Sequence, residues 1–279
     1  MFQQTWLFHK KMTILGFIFF VCIGIILGLI GGGGSILGVP VLVYSMGYSI
    51  DEATTYSLFI VGFTSLIGAI TYMRKGEVSF EAILQFSIPS MITIFCVRKF
   101  LMPNIPSHFQ FLSLEISKQV LVMLLLNSLI LISSYNMIKK RKTNRINQIK
   151  WDEFSKSPLG LPFVILLGVC VGFITGFVGA GGGFIIVPVL IFFLRLNFKK
   201  AIGTSLCIIA INSLVGFTGN IGHQQIDWLF LLSISALCGL GIILGSILSN
   251  HISSQKLKPA FGWFTLCVGI YVLIKETLF

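Results

Sequence analysis

The sequence has few charged residues, and their scarcity excludes an ordinary soluble domain. Asp, Glu, Lys and Arg make up 10% of the 279 residues, whereas 55% are hydrophobic and the mean hydropathy is +0.95. Soluble domains carry about 25% charged residues. We therefore expect an all-α integral membrane protein that crosses a membrane several times.

Side chains suited to catalysis or metal binding are also scarce and scattered. The nine acidic residues fall near the ends of apolar segments or in loops, and the four histidines have no metal-ligand spacing. The six cysteines form no Cys-x-x-Cys pair, so we interpret them as buried structural thiols. We expect no metal, no cofactor and no enzymatic activity; a membrane-embedded enzyme is the least favoured alternative.

The net charge of +11 does not indicate nucleic-acid binding, because no basic groove or aromatic RNA motif accompanies it. Much of the excess lies in the stretch 139–157, which contains Lys139, Lys140, Arg141, Lys142, Arg145 and Lys150. Between apolar segments, such a run is typical of a cytoplasmic loop. The expected partners are the lipid bilayer and a small substrate, and the sequence leaves the oligomeric state open.

What the chain has in abundance is glycine, concentrated in two stretches that repeat. Residues 28–42 read Gly-Leu-Ile-Gly-Gly-Gly-Gly-Ser-Ile-Leu-Gly-Val-Pro-Val-Leu, and 176–190 read Gly-Phe-Val-Gly-Ala-Gly-Gly-Gly-Phe-Ile-Ile-Val-Pro-Val-Leu. The offset of 148 (176 − 28) continues without a gap, pairing Ser57 with Ser205 and Ser65 with Ser213. The sequence therefore predicts a single transporter-like domain, 1–279, made of a first repeat at 13–138, the linker at 139–157 and a second repeat at 158–279.

Each glycine stretch is predicted to end one helix and begin a short new one. In hydrocarbon, a break in a helix is tolerated only where protein or a water-filled cavity surrounds it. The free N–H groups at the start of the new helix favour anions, and matching interruptions in two halves point to a transporter's substrate site. The alternative is that the glycines only allow helices to pack closely.

We interpret the residues of these turns, with nearby polar side chains, as the substrate site. Asn212 stands out because an amide in hydrocarbon needs several partners, either an anion or a neighbouring helix. The predicted substrate-binding residues are Gly31, Gly32, Gly33, Gly34, Ser35, Ser57, Gly179, Ala180, Gly181, Gly182, Gly183, Thr204, Ser205 and Asn212.

Ten apolar segments are predicted, of which eight are long enough to span and two, 34–47 and 182–196, are short. The others are 13–31, 54–73, 80–101, 117–138, 160–179, 201–221, 228–249 and 257–275. With the basic linker inside, loops at matched positions carry opposite charges, which favours an inverted repeat with both termini outside. Lys10, Lys11, Arg98 and Lys99 do not fit that orientation, so a parallel repeat with re-entrant short helices stays open.

These residues give the chain a resemblance to the sulfite exporter TauE/SafE family, also called the toluene sulfonate uptake permease family. The matching marks are Val-Pro-Val-Leu at 39–42 and 187–190, Ala-Ile-Gly-Thr-Ser-Leu at 201–206, and Arg74, Gly76 and Val78. The first half departs from the pattern with Thr-Tyr-Ser-Leu at 55–58 and Thr64 in place of Asn212, and its loop at 102–118 is longer than usual.

The resemblance implies a transporter in the cytoplasmic membrane for small sulfur-containing or organic anions, such as sulfite or a sulfonate. Together with the duplicated turns, it predicts alternating access, in which one repeat rocks against the other around the anion. An anion channel of the same architecture is the alternative.

Overall fold

The computed structural model describes residues 2–278 except 107, 112–113, 139–159, 195, 222–225 and 250–253. The described residues are helical apart from loops, turns and one short hairpin; the predicted linker lies outside them. The first half contains α1 (Phe2–Ile30), α2 (Gly33–Ser45), α3 (Ile50–Arg74), α4 (Phe80–Asn104) and α5 (Lys118–Ile138). The second half contains α6 (Gly160–Val178), α7 (Gly183–Phe192), α8 (Phe198–Thr218), α9 (Trp228–Leu248) and α10 (Ser254–Leu278).

Within the described residues, five helices are long and apolar enough to cross a membrane: α3, α4, α6, α8 and α9. Shorter apolar stretches lie in α1, α2, α5 and α10, at Gly16–Ile30, Gly33–Ser45, Lys118–Ile132 and Thr265–Lys275. Large apolar side chains cover the outside of the bundle; Leu84, Leu166 and Leu229, for example, are 62%, 58% and 81% exposed. An apolar outer surface of this extent fits a protein surrounded by lipid.

Acidic residues lie where helices begin. Ser49 and Glu52 form a reciprocal cap at the start of α3: Glu52 N–H donates to Ser49 Oγ, and Ser49 N–H donates to Glu52 Oε2. At the start of α9, Phe230 N–H donates to Asp227 Oδ1 at 3.1 Å. These caps satisfy N–H groups that have no partner inside the helix, so Glu52 and Asp227 stabilise the starts of α3 and α9.

Equivalent helices of the two halves have matching ends. Helices α1 and α6 end at Ile30 and Val178 (178 − 30 = 148), α3 and α8 begin at Ile50 and Phe198 (198 − 50 = 148), and α4 and α9 begin at Phe80 and Trp228 (228 − 80 = 148). The contacts between helices match in the same way. Helix α1 packs on α9, and their counterparts α6 and α4 pack on each other, while α3 packs on its own counterpart α8.

Helices α3 and α8 run antiparallel at the centre. At one end Asn220 Nδ2 donates to Thr55 Oγ1 at 2.6 Å, and at the other end Gly203 lies against Tyr72. We call the first the Asp51 end and the second the Lys75 end, after residues at either end of α3.

Helices α1 and α9 run parallel and pack backbone against backbone. Gly24 lies against Cys238 and Gly28 against Ile242, while Gly241 and Gly245 of α9 lie against Val21 and Ile25 of α1. The counterpart contact of α6 with α4 uses Gly168, Gly172 and Gly176. Small residues at such crossings allow helix axes to approach closely, so these glycines have a packing role.

Two features differ from the sequence-based expectation. The loop at 102–118 contains a two-stranded antiparallel hairpin, His108–Phe111 with Leu114–Ser117, in an otherwise helical structure. The prediction of six buried thiols was wrong: Cys22, Cys96, Cys170 and Cys267 are exposed on the bundle surface, and only Cys207 and Cys238 are buried. A thiol is apolar enough to face lipid, and each exposed cysteine lies on a helix whose outer face is covered with apolar side chains.

Candidate functional site

The two glycine turns break helices as predicted, but with different backbone geometry. After α1, Gly31 has φ of 83°, and the chain then forms a turn of 3-10 helix at Gly33–Leu37. After α6, three glycines have positive φ: Gly179 at 74°, Gly181 at 69° and Gly182 at 68°. Because L side chains rarely adopt this conformation, the second turn depends more strongly on glycine than the first.

The turns touch each other between α3 and α8. A methyl group on Gly183 would lie 2.6 Å from Gly32 Cα, and one on Gly32 would lie 2.5 Å from Gly183 O. All the glycines of both turns are buried, as are Ser35 and Ala180. The structure thus brings together the glycines that the sequence pairs across its two halves.

Two of the predicted serines contact the first glycine turn or the short helix that follows it. Ser205 Oγ donates to Gly31 O at 2.9 Å, and it also lies 2.8 Å from Ile202 O in its own helix. Ser57 Oγ has no hydrogen-bond partner, is buried, and lies 2.6 Å from where a methyl group on Gly38 would sit. Ser35 Oγ donates to Gly32 O at 2.8 Å, within its own turn.

Thr204 and Asn212 contact α4 instead of the turns. Thr204 Oγ1 accepts a hydrogen bond from Ser79 N–H at 2.9 Å, just before α4 begins, which is a structural role. Asn212 Oδ1 accepts one from Ser90 Oγ at 3.0 Å, which is the inter-helix bond considered for it. Its Nδ2 is buried without a partner, so half of the amide remains available for a ligand.

Arg98 was not among the predicted site residues, yet it lies against the second glycine turn. It is on the π-helical turn Val97–Leu101 near the end of α4, and it is 1% exposed. Its Nη1 donates to Thr54 Oγ1 at 3.0 Å, and its Nη2 is the atom closest to where a methyl group on Gly179 would sit. A cation inside the predicted apolar segment 80–101 was the sequence signal that could have identified it.

Two further hydroxyls beside this turn are buried without a partner. Thr175 Oγ1 would collide with a methyl group on Gly182, and Ser213 Oγ lies 2.9 Å from where one on Gly181 would sit. Helix α7 begins directly after the turn, and Gly182, just before it, provides no side-chain cap. Ile185 and Ile186 donate to Gly182 O, so the N–H groups without an acceptor in the helix are those before Ile185. The guanidinium, the two hydroxyls and these N–H groups can all donate a hydrogen bond.

Charges elsewhere in the described residues cluster at the two ends of the bundle. Lys118 Nζ pairs with Asp51 Oδ1 at 2.8 Å at the Asp51 end, and Lys199 Nζ lies 3.9 Å from Glu77 Oε1 at the Lys75 end. In the loop before α3, burial raises the pKa of Tyr48 to about 12, with smaller effects from Tyr56 and nearby carboxylates. Tyr48 therefore stays neutral at ordinary pH.

A cavity of about 140 Å³ lies between α1, α2 and α10, but its lining does not suit an anion. It is formed mainly by apolar side chains, among them Phe19, Ile26, Val268 and Val272. A charged ligand would lose its hydration there without gaining hydrogen-bond donors. The glycine turns remain the candidate site.

Comparison with known proteins gives one family. The model of the family described as "Sulfite exporter TauE/SafE" matches residues 11–272. A "Probable membrane transporter protein" of Xylella fastidiosa (strain 9a5c) is 28% identical over 256 residues, covering 90% of this chain and 91% of that protein. The "Probable membrane transporter protein YunE" of Bacillus subtilis (strain 168) is 25% identical, covering 95% and 100% respectively. No solved structure matches this chain.

Proposed function

We propose that this chain, which belongs to the sulfite exporter TauE/SafE family of membrane transporters, carries a small anion across the inner membrane by alternating access. The anion is a sulfur-containing or organic one, such as sulfite or a sulfonate, in keeping with the family's name. The observation that carries the proposal is the contact between two buried glycine turns, one from each half, beside buried hydrogen-bond donors. Interrupted helices at matching positions are where transporters of this kind hold their substrates.

The packing supports an inverted repeat. A two-fold axis that relates two antiparallel helices must be perpendicular to them, and α3 and α8 are antiparallel counterparts. If both cross the bilayer, that axis lies in the membrane plane. A parallel repeat would instead leave counterpart helices parallel.

The charges support an orientation with the Lys75 end in the cytoplasm. Arg74, Lys75, Lys199 and Lys200 lie at that end, whereas Asp51, Glu52 and Asp227 lie at the other. In this proposal eight helices span the membrane, and α2 and α7 are half-helices. The positive-inside rule then puts both termini outside. Cysteine substitutions at 47–53 and 197–200, where α3 and α8 begin, should therefore react with a membrane-impermeant reagent from opposite sides. Labelling from one side would exclude the inverted repeat.

Alternating access requires that the anion be enclosed between two gates. All fourteen predicted site residues are buried, so the site is closed to both ends in this conformation. Rocking one half against the other would open it to one end at a time, since the turns meet where the halves meet. No covalent step is needed.

The test is a flux panel with purified protein in proteoliposomes, using sulfite, thiosulfate, sulfonates and carboxylates. A carrier gives saturable flux that rises when unlabelled substrate is present on the far side. Flux that does not saturate and carries a high single-channel conductance would identify a channel instead. Absence of flux with every anion would refute the proposed function.

A further inference from the structure

The feature that the proposed function does not yet use is the buried guanidinium of Arg98. Among the described residues it is the largest fully buried side chain, and only one of its nitrogen atoms has a partner, Thr54 Oγ1. Its Nε and Nη2 are buried with no hydrogen-bond acceptor. A guanidinium has five N–H donors and keeps its charge, so most of its hydrogen-bonding capacity is unused in this conformation.

Arg98 forms no ion pair in the described part of the chain, although Asp51 is near enough to stabilise its charge. The nearby acidic residue Asp51 is held by Lys118 at 2.8 Å, and no ion pair within 4.0 Å joins Arg98 to any described acid. A buried charge without a partner is unfavourable, and proteins retain one chiefly where a ligand neutralises it.

Several groups around Arg98 would favour an anion. Nη2 faces Gly179, the first residue of the left-handed turn, and the unpartnered hydroxyls of Thr175 and Ser213 lie beside Gly182 and Gly181. The N-terminus of α7 follows directly, with its positive dipole end and free N–H groups. An anion with several oxygen atoms could accept from the guanidinium and the hydroxyls together.

The first glycine turn lacks this arrangement at the equivalent positions. The counterpart of Arg98 is Ser246 (98 + 148), whose Oγ donates to Ile243 O in its own helix at 2.9 Å. The counterparts of Thr54 and Thr175 are Ile202 and Leu27, which have no polar side-chain atoms. Only the second turn therefore has a buried charged donor beside it, because Lys75, which reaches Ser246 O, is exposed.

We propose that Arg98 is the charge-recognising residue of a single, one-sided oxyanion site formed with the turn at Gly179, Gly181 and Gly182. The inference rests on the proposed function and makes it more specific. The ligand is a small oxyanion whose oxygens accept from a planar guanidinium, with sulfite as the first probe. The two halves therefore contribute unequally: the second turn and α4 bind the charge, and the first turn closes the site from the other side.

Arg98→Gln removes the charge and keeps a side chain of similar length. The matched control is Lys99→Gln, which removes a charge from the next residue, whose side chain is exposed and lies over the rings of Phe95 and Phe100. Sulfite affinity would be measured on full-length protein in nanodiscs from the concentration dependence of its thermal stabilisation. Chloride and a neutral sulfone would serve as comparison solutes.

We expect Arg98→Gln to weaken sulfite binding roughly ten- to hundredfold, the effect of losing a charged hydrogen bond. Lys99→Gln should bind like wild type. Arg98→Lys should bind more weakly than wild type and more tightly than Arg98→Gln, since an ammonium keeps the charge and loses the planar fork. If Arg98→Gln does not fold, the comparison of Arg98→Lys with wild type decides, and equal affinities would overturn the proposal.

A purely structural role predicts a different result. If Arg98 only neutralised the carbonyl end of α6, Arg98→Gln would lower the melting temperature with and without sulfite, and sulfite affinity would stay unchanged. Measurements of sulfite flux distinguish failure of this proposal from failure of the proposed transport function. If Arg98→Gln shows wild-type flux with the same KM, the role of Arg98 is overturned and the transport function stands. Arg98-dependent binding without any flux would support the site and refute transport, and neither binding nor flux in wild type would refute both.

Discussion

Glycines at the crossing of α1 and α9 should determine stability, and their effect can be estimated from the structure. A methyl group on Gly245 would collide with Ile25 O and would lie 2.9 Å from Ile25 C and 3.0 Å from Ile25 Cα, whereas ordinary contacts begin at 3.4 Å. The obstacle is backbone, which cannot rotate away, so the helices would have to separate by at least 0.5 Å (3.4 − 2.9) at this point. A gap of that size forfeits about a quarter of the attraction between each pair of atoms along the contact.

Gly245→Ala should therefore lower the free energy of unfolding by about 1–3 kcal/mol, the usual cost of overpacking. Gly239 on the same helix is the matched control, because the only atom within 4 Å of its added methyl group is Ile67 Cδ1, at 2.8 Å. That atom is the end of a side chain that can change rotamer, so Gly239→Ala should change stability by less than about 0.5 kcal/mol. Both substitutions raise helix propensity equally, so the difference between them isolates the clash.

The measurement is denaturant unfolding of the full-length variants in one detergent, followed by sulfite binding. Gly172→Ala should resemble Gly245→Ala, because a methyl group there would lie 2.6 Å from Ser90 O and 2.9 Å from Ser90 Cα. Once folded, these variants should bind sulfite with wild-type affinity, because the substituted glycines do not contact the predicted site residues. Equal losses of stability for Gly239→Ala and Gly245→Ala would refute the packing argument.

Three further outcomes are expected. Stability should fall as pH rises from 10 towards 12, because the pKa of Tyr48 is raised in the folded protein and the unfolded chain loses that proton first. In a series of melting temperatures measured against pH, Tyr48→Phe should reduce this fall. An unchanged fall would mean that other groups cause it. Glu81→Gln should leave flux unchanged, since Glu81 is exposed at the start of α4 and no described acid lies in a segment centre; loss of flux would indicate carboxylate coupling. Replacing Lys139, Lys140, Arg141 and Lys142 by Gln should disturb membrane orientation and leave substrate affinity unchanged in correctly inserted protein, and an altered affinity would contradict a purely topological role.

The helical class and the glycine breaks could be predicted because both depend on local sequence. Long apolar segments need no partner to be recognised, and a run such as 31–34 ends a helix wherever it occurs. The matched ends of α1 and α6 follow from the repeated letters, as do those of α3 and α8. The hairpin at 108–117 could not be predicted, because its strands have four residues each and give no alternating pattern of useful length.

Which glycines pack helices together and which form the turns' candidate site could not be predicted, because a glycine's role depends on the atoms that face it in the folded protein. Gly245 faces the backbone of α1, more than two hundred residues away in sequence, whereas Gly182 faces a hydroxyl of its own preceding helix. Packing and site formation were posed as alternatives for the glycine runs, and the backbone contact of Gly32 with Gly183 is compatible with both, so the site stays a prediction. The glycines at the helix crossings have a packing role. The sequence showed Arg98 only as a charge that does not fit the predicted orientation, and no local pattern indicates that Thr54 and Gly179 enclose it.

The two halves share packing constraints and differ at the charge, and this contrast supports a ligand role for Arg98. Gly24 against Cys238 and Gly172 against Ser90 are equivalent contacts of backbone on backbone, and glycine is kept at both because any larger residue would separate the helices. If the fold required a guanidinium beside the helix end, α1 would need one near Ile30 just as α6 has one near Val178. Instead, Ser246 occupies that position, with its hydroxyl satisfied by its own helix. The end of α1 therefore packs without a buried cation: Tyr72 OH donates to Gly28 O there, and Lys75, which reaches Ser246 O, is exposed. The buried charge beside α6 calls for another explanation, which an anionic substrate supplies.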